Sequence, residues 1–261
     1  MKTYKLITFI SAVLLVLIFA CKKSADTTPA TTNNNQTPTT GSLYFHLHTD
    51  LDTNEVGSYG TVYVVTGGRK ISVSKAQMYI SNIQLVRADS SVYNVPNTIL
   101  LKVQEIEPCF VGNVPPGTYT SVRFTVGLDS TTNLKTPTAA DTALNNSGMW
   151  FNTPVQPDGY IFVNFQGTID TTVNANGNNL IPFMYMIGTT ANKRQVSMPY
   201  QSFVVTAGQT QYVHMIIDYN KLFTGVNLLN GNNLMIMTAS GNSSNVAKTI
   251  SNNIPSMFHY E

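Results

Sequence analysis

The sequence is poor in charged residues. Lysine, arginine, aspartate and glutamate make up 11% of its 261 residues, and 15 basic against 13 acidic side chains leave a net charge of +2. Nucleic-acid binding requires a clustered basic face, and the sequence has none, so we expect no nucleic-acid partner. Asn, Thr, Ser, Gly and Tyr are abundant instead, which is typical of an extracytoplasmic β protein.

The sequence also lacks an apolar run long enough to span a bilayer comfortably, since about 20 residues are needed. Its longest run covers only residues 6–20; Lys2 and Lys5 precede it, and Cys21 follows it. A basic start, a short apolar stretch and a small residue before the cut indicate a secretory signal, and residues 18–21 fit the bacterial lipobox. We predict a signal peptide over residues 1–20 and a lipidated Cys21 that anchors the protein to the membrane. An ordinary signal peptide or an anchor helix with an incidental cysteine is the alternative.

Residues 21–42 contain almost no large apolar side chain and are rich in Thr, Asn and Pro. Such a stretch cannot bury enough surface to offset the entropy of ordering, so we predict a disordered tether. One domain then covers residues 43–261. Apart from Cys21 the chain has one cysteine, Cys109, which cannot form an internal disulfide. We expect a buried, inert thiol, with copper ligation as the alternative.

Motifs for catalysis are absent as well. The sequence has no G-x-S-x-G, Walker loop, HExxH or Gly-rich dinucleotide turn. The stretch DLDTN at 50–54 is similar to a calcium loop, but Glu55 and Thr61 stand where that loop needs glycine and glutamate. We therefore predict that the protein is not an enzyme.

What the sequence does contain is a hydrophobic period of two. In LYFHLH, residues 43–48, Leu43, Phe45 and Leu47 alternate with polar residues, as in a half-buried strand. Further strand-like runs lie at 61–66, 76–87, 99–106, 119–128, 159–169, 181–188, 200–206 and 211–219. Pro, Gly and Asn clusters separate them, and only short helical turns are expected, near 138–146 and 219–224. The pattern predicts an all-β fold, an antiparallel Greek-key β-sandwich.

Five of these segments carry a family resemblance. In order they are ISVSKAQMYISNIQL, VPPGTYTSVRFTVGLD, SGMW, GYIFVNFQGTI and FMYMIG. Together they resemble the MbnP-like family over roughly residues 43–240. Members are secreted copper-binding β-sandwich proteins, many of them lipoproteins of Bacteroidetes. The resemblance implies copper(I) held by histidines together with a tryptophan oxidised to kynurenine, and a dihaem peroxidase-type partner that carries out this oxidation.

Two histidines match the family's histidine-bearing first strand. His46 and His48 are two positions apart, so both imidazoles leave the same face of a strand within reach of one ion. The alternative is an exposed His-x-His pair on a solvated strand face. His214, in YVHMIID, is the best third ligand by pattern, and His259 is a further candidate.

Other family positions differ. The family has W-x-W after Gly-Met, whereas this chain has one tryptophan, Trp150, followed by Phe151 and Asn152. Trp150 is either a modification site or a core aromatic, and we favour the core aromatic. The upstream family histidine is missing, and Met186 replaces the histidine expected in FMYMIG; a thioether can bind copper(I), although a strand methionine more often packs in a core.

The sequence thus predicts a cell-envelope lipoprotein, anchored to the outer membrane and exposed to the periplasm or the cell surface, that binds copper(I) for copper handling. The alternative is a metal-free surface β-sandwich for adhesion, glycan binding or complex assembly. The His-x-His pair favours the first, and the missing W-x-W motif favours the second.

Overall fold

The computed structural model describes residues 37–103, 107–151, 159–176 and 179–261. The predicted signal peptide, Cys21 and most of the predicted tether lie outside these residues, as does the end of the strand predicted at 99–106. Strands make up 47% of the structure and helices are few, which confirms the all-β prediction.

The strands and helices have the following bounds. The described strands are β1 (Gly41–Leu51), β2 (Asn54–Glu55), β3 (Val62–Val64), β4 (Lys70–Arg87), β5 (Val92–Asn94), β6 (Ile99–Lys102), β7 (Pro108–Val114), β8 (Gly117–Val126), β9 (Ile161–Asp170), β10 (Leu180–Gly188), β11 (Arg194–Ser197), β12 (Phe203–Val205), β13 (Thr210–Asp218), β14 (Met235–Ile236) and β15 (Phe258–Tyr260). The described α-helices are α1 (Ser130–Asn133) and α2 (Asn245–Asn253), and short 3-10 turns include Ser147–Met149 and Tyr219–Phe223.

The strands form two sheets. The smaller has five strands in the order β15-β13-β1-β2, with β7 also paired to β1; the larger has ten, in the order β11-β8-β4-β9-β10-β14, with β12 on β8 and β3, β5 and β6 on β4. Pairing is antiparallel except at β1/β13 and β10/β14, which are parallel. A purely antiparallel arrangement was expected. The parallel β1/β13 pair is possible because more than 150 residues separate the two strands, far more than a parallel connection requires. The Greek-key connection stays a prediction.

The hydrophobic core lies between the two sheets. Strand β1 alternates strictly between buried and half-buried residues, and Leu43, Phe45 and Leu47 are fully buried. The ring of Phe45 lies 6.1 Å from that of Phe124 on β8, so the two sheets meet face to face. Burying side chains of this size stabilises the fold by about 1.5–3 kcal/mol each. The outer face of β1 therefore carries the polar side chains that alternate with these buried residues.

The register of the long strand β4 changes at three places. The first two, between Val73 and Lys75 and between Ser81 and Gln84, each place an extra residue in β4, and the third lies between Val86 and Arg87. Asn82 in the second has a φ of 50°, a left-handed conformation that asparagine tolerates better than most residues. Each bulge moves the inward-facing positions by one residue. Apolar side chains from both halves of β4 therefore face the core. The strand is also longer than the predicted 76–87 segment.

Helix α2 was not predicted. Ser244 caps its N-terminus by accepting a hydrogen bond from the Ala247 amide, and Ala247, Ile250 and Ile254 form a buried stripe at helical spacing. The helix has only nine residues, too few for an amphipathic pattern to be recognised in the sequence. Near 219–224 a 3-10 turn agrees with the predicted short turn. Among the described helices, none is both long and apolar enough to cross a bilayer.

A smaller core lies on the outer face of the ten-stranded sheet. Tyr79 of β4 points away from the main core, because its neighbours Met78 and Ile80 point into it. Around Tyr79 pack Leu128, Leu144, Met149, Tyr160 and Phe162, with Trp150 partly buried against them. This second core covers part of the sheet's outer surface.

Candidate metal centre

The candidate site lies on the outer face of the five-stranded sheet, on β1 and β13. His46 and His48 occupy outward-facing positions of β1, which alternate with the inward-facing Phe45 and Leu47. Because β1 and β13 are parallel neighbours, His46 lies directly opposite His214. Residues opposite each other in a ladder project from the same face, so the strand pairing brings together three imidazoles from two distant parts of the sequence.

The three imidazoles are close enough to share one ion. The Nδ1 atoms of His46 and His214 are 3.1 Å apart, and the ring centroid of His46 is 4.7 Å from those of both His48 and His214. One nitrogen from each ring lies within 4.8 Å of the others. Ligand atoms about 2.0 Å from a tetrahedral metal are about 3.3 Å apart, so small side-chain movements suffice to bind an ion.

Glutamates that the sequence analysis missed surround these histidines. Glu107 lies beside β1 because its carbonyl accepts a hydrogen bond from the Leu47 amide. Its carboxylate is 3.3 Å from Nε2 of His46 and 3.6 Å from Nδ1 of His48. A carboxylate that bridges two rings in this way orients both imidazoles.

Two further glutamates complete the surroundings. Glu261 Oε2 lies 3.2 Å from Nδ1 of His214 and 3.6 Å from Nε2 of His48, and Glu55 Oε1 lies 3.7 Å from Nδ1 of His48. His48, Glu55 and Glu107 form a second group with metal-binding spacing. No local sequence signal could have identified these residues, since their proximity depends on pairing with β2, β7 and β15.

The electrostatics favour a neutral imidazole at His46. Burial lowers the pKa of His46, and the adjacent His48 and His214 lower it further, against an opposing effect of Glu107 and Glu261. Neutral imidazole is the form that binds metals. The short distance between the two Nδ1 atoms agrees, because one ring must accept the hydrogen bond that the other donates.

Beyond His48 on the same face of β1 lies Asp50. Burial, and then the nearby Glu55, raise the pKa of the Asp50 carboxyl. Its Oδ1 is buried and has no hydrogen-bond partner among the described residues. Burial and the neighbouring carboxylate therefore disfavour the charged form of Asp50.

Aromatic rings border the other side of the site. The Tyr44 ring lies 5.1 Å from Phe110 and 5.4 Å from Tyr212, and Tyr212 is 6.4 Å from His46 and 6.3 Å from His214. Phe110 and Tyr212 are exposed. An apolar border of this kind limits the access of water to one side of a bound ion.

The other predicted site residues lie elsewhere. Met186 is half-buried on β10, whose inward positions are Phe183, Tyr185 and Ile187, so it points out of the ten-stranded sheet. Trp150 packs on that same outer face, and its Nε1 donates a hydrogen bond to the Leu144 carbonyl at 3.0 Å. The two sheets of a sandwich are about 10 Å apart. Neither side chain is thus brought to the histidines, because both lie on the far side of the sandwich.

The remaining candidates are also outside the cluster. His259, on β15, is exposed and lies opposite Ile216 in the ladder, and the described groups with metal-binding spacing do not contain it. Cys109 is buried opposite Phe45 and has no disulfide partner in the described structure. Burial raises the pKa of its thiol, which agrees with the inert thiol expected from the sequence.

Comparisons with known proteins point to one family. A family model described as MbnP matches residues 40–239. Among solved structures the chain is similar to MbnP from Methylosinus trichosporium, with 18% identity, a TM-score of 0.56, and coverage of 76% of this chain and 83% of that chain. At this identity the likeness concerns the fold. No curated protein matches the chain.

Proposed function

Because this chain belongs to the MbnP family, we propose that it binds copper(I) through His46, His48 and His214 and handles copper in the cell envelope. The family is associated with copper binding and with secretion. The observation that carries the proposal is the convergence of three imidazoles, one nitrogen of each within 4.8 Å of the others. Imidazole nitrogen is a ligand that suits copper.

The residues present fit this ion without the family's tryptophan. Copper(I) can be bound by two or three ligands. The pKa of His46 is lowered, which favours the neutral imidazole that binds a metal. Trp150 and Met186 lie on the opposite outer face, so the proposal rests on the histidines alone. Oxidation of Trp150 by a dihaem peroxidase-type partner is not required for it.

The exposure of the site supports holding and transferring the ion rather than catalysis. The side chain of His214 is 48% exposed, against 23% for His46 and 18% for His48. His214 is therefore the ligand that an incoming carrier meets first, while His46 and His48 form the less accessible base. The bound copper ion would be stored or passed on, and we assign no enzymatic step to the protein.

Attachment to the membrane is part of the same proposal. Lipidated Cys21, followed by the Thr-, Asn- and Pro-rich segment, would tether the protein to the outer membrane. The sequence of residues 18–21, which fits the lipobox, supports this anchor.

Competition against a copper(I) chelator tests the copper site. We expect His46→Ala/His48→Ala to lower copper(I) affinity at least tenfold, about 1.4 kcal/mol, because it removes two of three ligands. His259→Ala is the matched control, as it removes a histidine of the same sheet that lies outside the cluster, and it should leave the affinity unchanged. Equal affinities for wild type and the double variant would reject the copper site.

A further inference from the structure

We propose that four methionines on the outer face of the ten-stranded sheet form a second copper(I) site, separate from the histidine site and weaker than it. Met184 and Met186 lie on β10, Met235 lies on β14, and Met237 directly follows β14. The site uses none of the histidines, so the two sites can be tested separately.

Both methionine pairs occupy outward-facing positions. On β10 the inward-facing Phe183, Tyr185 and Ile187 are buried in the main core, and Met184 and Met186 alternate with them. The segment at β14 repeats the pattern. Its Ile236 is buried in the same core, whereas Met235 and Met237 on either side of it are 44% and 51% exposed.

Strand pairing places Met184 and Met235 side by side. In the parallel ladder of β10 and β14, Met184 lies opposite Met235 and Tyr185 lies opposite Ile236. The amide of Met184 donates a hydrogen bond to the Leu234 carbonyl at 2.8 Å, which fixes this register.

A buried asparagine holds the second pair together where β14 ends. The side-chain amide of Asn242 donates hydrogen bonds to the Met186 carbonyl at 2.9 Å and to the Thr238 carbonyl at 3.0 Å. Met237 therefore lies between Ile236, which is paired with Tyr185, and Thr238, which is tied to Met186. The backbone thus keeps Met237 beside Met186.

The spacing of these positions lets the four sulfur atoms converge. Neighbouring strands are about 4.7–4.9 Å apart, and residues two positions apart on one strand are separated by about 6.5–7 Å. A methionine side chain has three rotatable bonds and adapts its shape readily. Thioethers from both strands can therefore reach one ion above the sheet.

Packing does not account for the exposed pair. Methionine is among the residues most often fully buried, and the other methionines in the described part of the chain are buried: Met78, Met149, Met198, Met215 and Met257. Met235 and Met237 are the exceptions, and each lies next to a half-buried methionine of β10. Their sulfur atoms are accessible to an ion from solvent.

The chemistry of the cluster selects copper(I). Thioether sulfur is a soft ligand that suits copper(I), whereas harder divalent ions favour carboxylate oxygen. On the adjacent strand β9, Gln166 lies opposite Met184 and Asn164 lies opposite Met186. Both are neutral, and the amide of Gln166 donates to Asn164 while that of Asn164 donates to the Gly148 carbonyl. The neighbouring strand thus brings no carboxylate to the cluster.

The methionine site should fill after the histidine site. The imidazoles are already held by their contacts with each other and with Glu107, so binding an ion orders them little further. Methionine is among the side chains that lose most rotamer freedom when fixed, and ordering three of them weakens binding on the order of a thousandfold. We expect the first equivalent of copper(I) at the histidines and the second at the methionines.

Nuclear magnetic resonance of the full chain with carbon-13 in its methionine methyl groups tests the site directly. Copper(I) is added stepwise under reducing, oxygen-free conditions. We expect the first equivalent to leave the methyl signals unchanged. The second should shift those of Met184, Met186, Met235 and Met237 and leave that of the buried Met198 in place.

Leucine substitutions show whether the sulfur atoms bind the ion. Met184→Leu/Met235→Leu removes one thioether from each strand and nearly preserves apolar volume. We expect it to raise the dissociation constant of the second site at least tenfold and to leave the first unchanged. Met198→Leu is the matched control, since it removes a thioether outside the cluster, and both constants should stay the same.

The possible failures of the two sites are distinguishable. Methyl signals that do not move with the second equivalent, or a second site that Met184→Leu/Met235→Leu leaves unchanged, would overturn the methionine site alone. Methyl signals of the cluster that shift with the first equivalent would overturn the order of filling and the proposed function with it. Unchanged binding of the first equivalent by His46→Ala/His48→Ala would reject the histidine site and leave the methionine site to be decided by its own variants.

Discussion

Copper binding should raise the thermal stability of this protein, and the size of the rise follows from mass action. A ligand that binds only the folded state at one hundred times its dissociation constant adds about 2.7 kcal/mol to the free energy of unfolding. In a domain of this size each kcal/mol raises the thermal midpoint by about 2–4 °C. We therefore expect copper(I), under reducing and oxygen-free conditions, to raise the midpoint of wild type by about 5–10 °C.

Substitution of the histidine pair should abolish this rise without unfolding the apo protein. His46 and His48 lie on the outer face of β1 and are only half-buried, whereas the buried contacts of that strand come from Leu43, Phe45 and Leu47. Outer-face substitutions of this kind change stability by about 1 kcal/mol or less. The apo midpoint of His46→Ala/His48→Ala should therefore stay within about 4 °C of wild type.

Differential scanning calorimetry of wild type, the double variant and His259→Ala, each with and without copper(I), measures both effects. His259→Ala should keep the full copper-dependent rise. A double variant that still gains several degrees with copper would refute the ligand assignment. A double variant whose apo form melts far below wild type would mean that the two histidines serve the fold instead.

Three other regions of the molecule give independent predictions. Asn242→Ala should lower the free energy of unfolding, measured by urea denaturation, by about 2–4 kcal/mol. The buried side-chain amide of Asn242 donates a hydrogen bond to the Met186 carbonyl at 2.9 Å and accepts one from the Gly188 amide at 2.8 Å. An unchanged urea midpoint would show that the two backbone groups find other partners. Trp150→Phe should cost about 1 kcal/mol of stability through the lost hydrogen bond and leave copper affinity within twofold, whereas a large loss of affinity would place the indole in the site after all. Cys21→Ser should move the protein from the detergent phase to the aqueous phase in detergent partitioning, and equal partitioning of mutant and wild type would argue against lipidation.

The sequence predicted the fold where local alternation governs it. Leu43, Phe45 and Leu47 alternate with polar residues, and the structure buries all three. The alternation fails as a guide in β4, where bulges near Lys75 and Asn82 change which face each residue takes. A bulge has no reliable local signature, so the full extent of that strand could not be derived from period two alone.

The candidate site was predictable only in part, for a similar reason. The i, i+2 spacing places His46 and His48 on one face whatever their neighbours are. The proximity of His214 depends on a parallel pairing with a strand more than 150 residues away, and pairing of distant strands is not encoded locally. Glu107 and Glu261 were missed because each reaches the histidines through a strand pairing that the sequence pattern does not specify.

In the proposed site, copper is held by imidazoles on the outer face of the five-stranded sheet. Copper K-edge X-ray absorption on the full chain loaded with one equivalent of copper(I) tests it most directly, because the spectrum separates nitrogen or oxygen ligands from sulfur. We expect imidazole scattering and no sulfur shell, since Met186 lies on the opposite outer face and Cys109 is buried in the core. A spectrum with a copper–sulfur shell, or a protein that retains no copper, would contradict it.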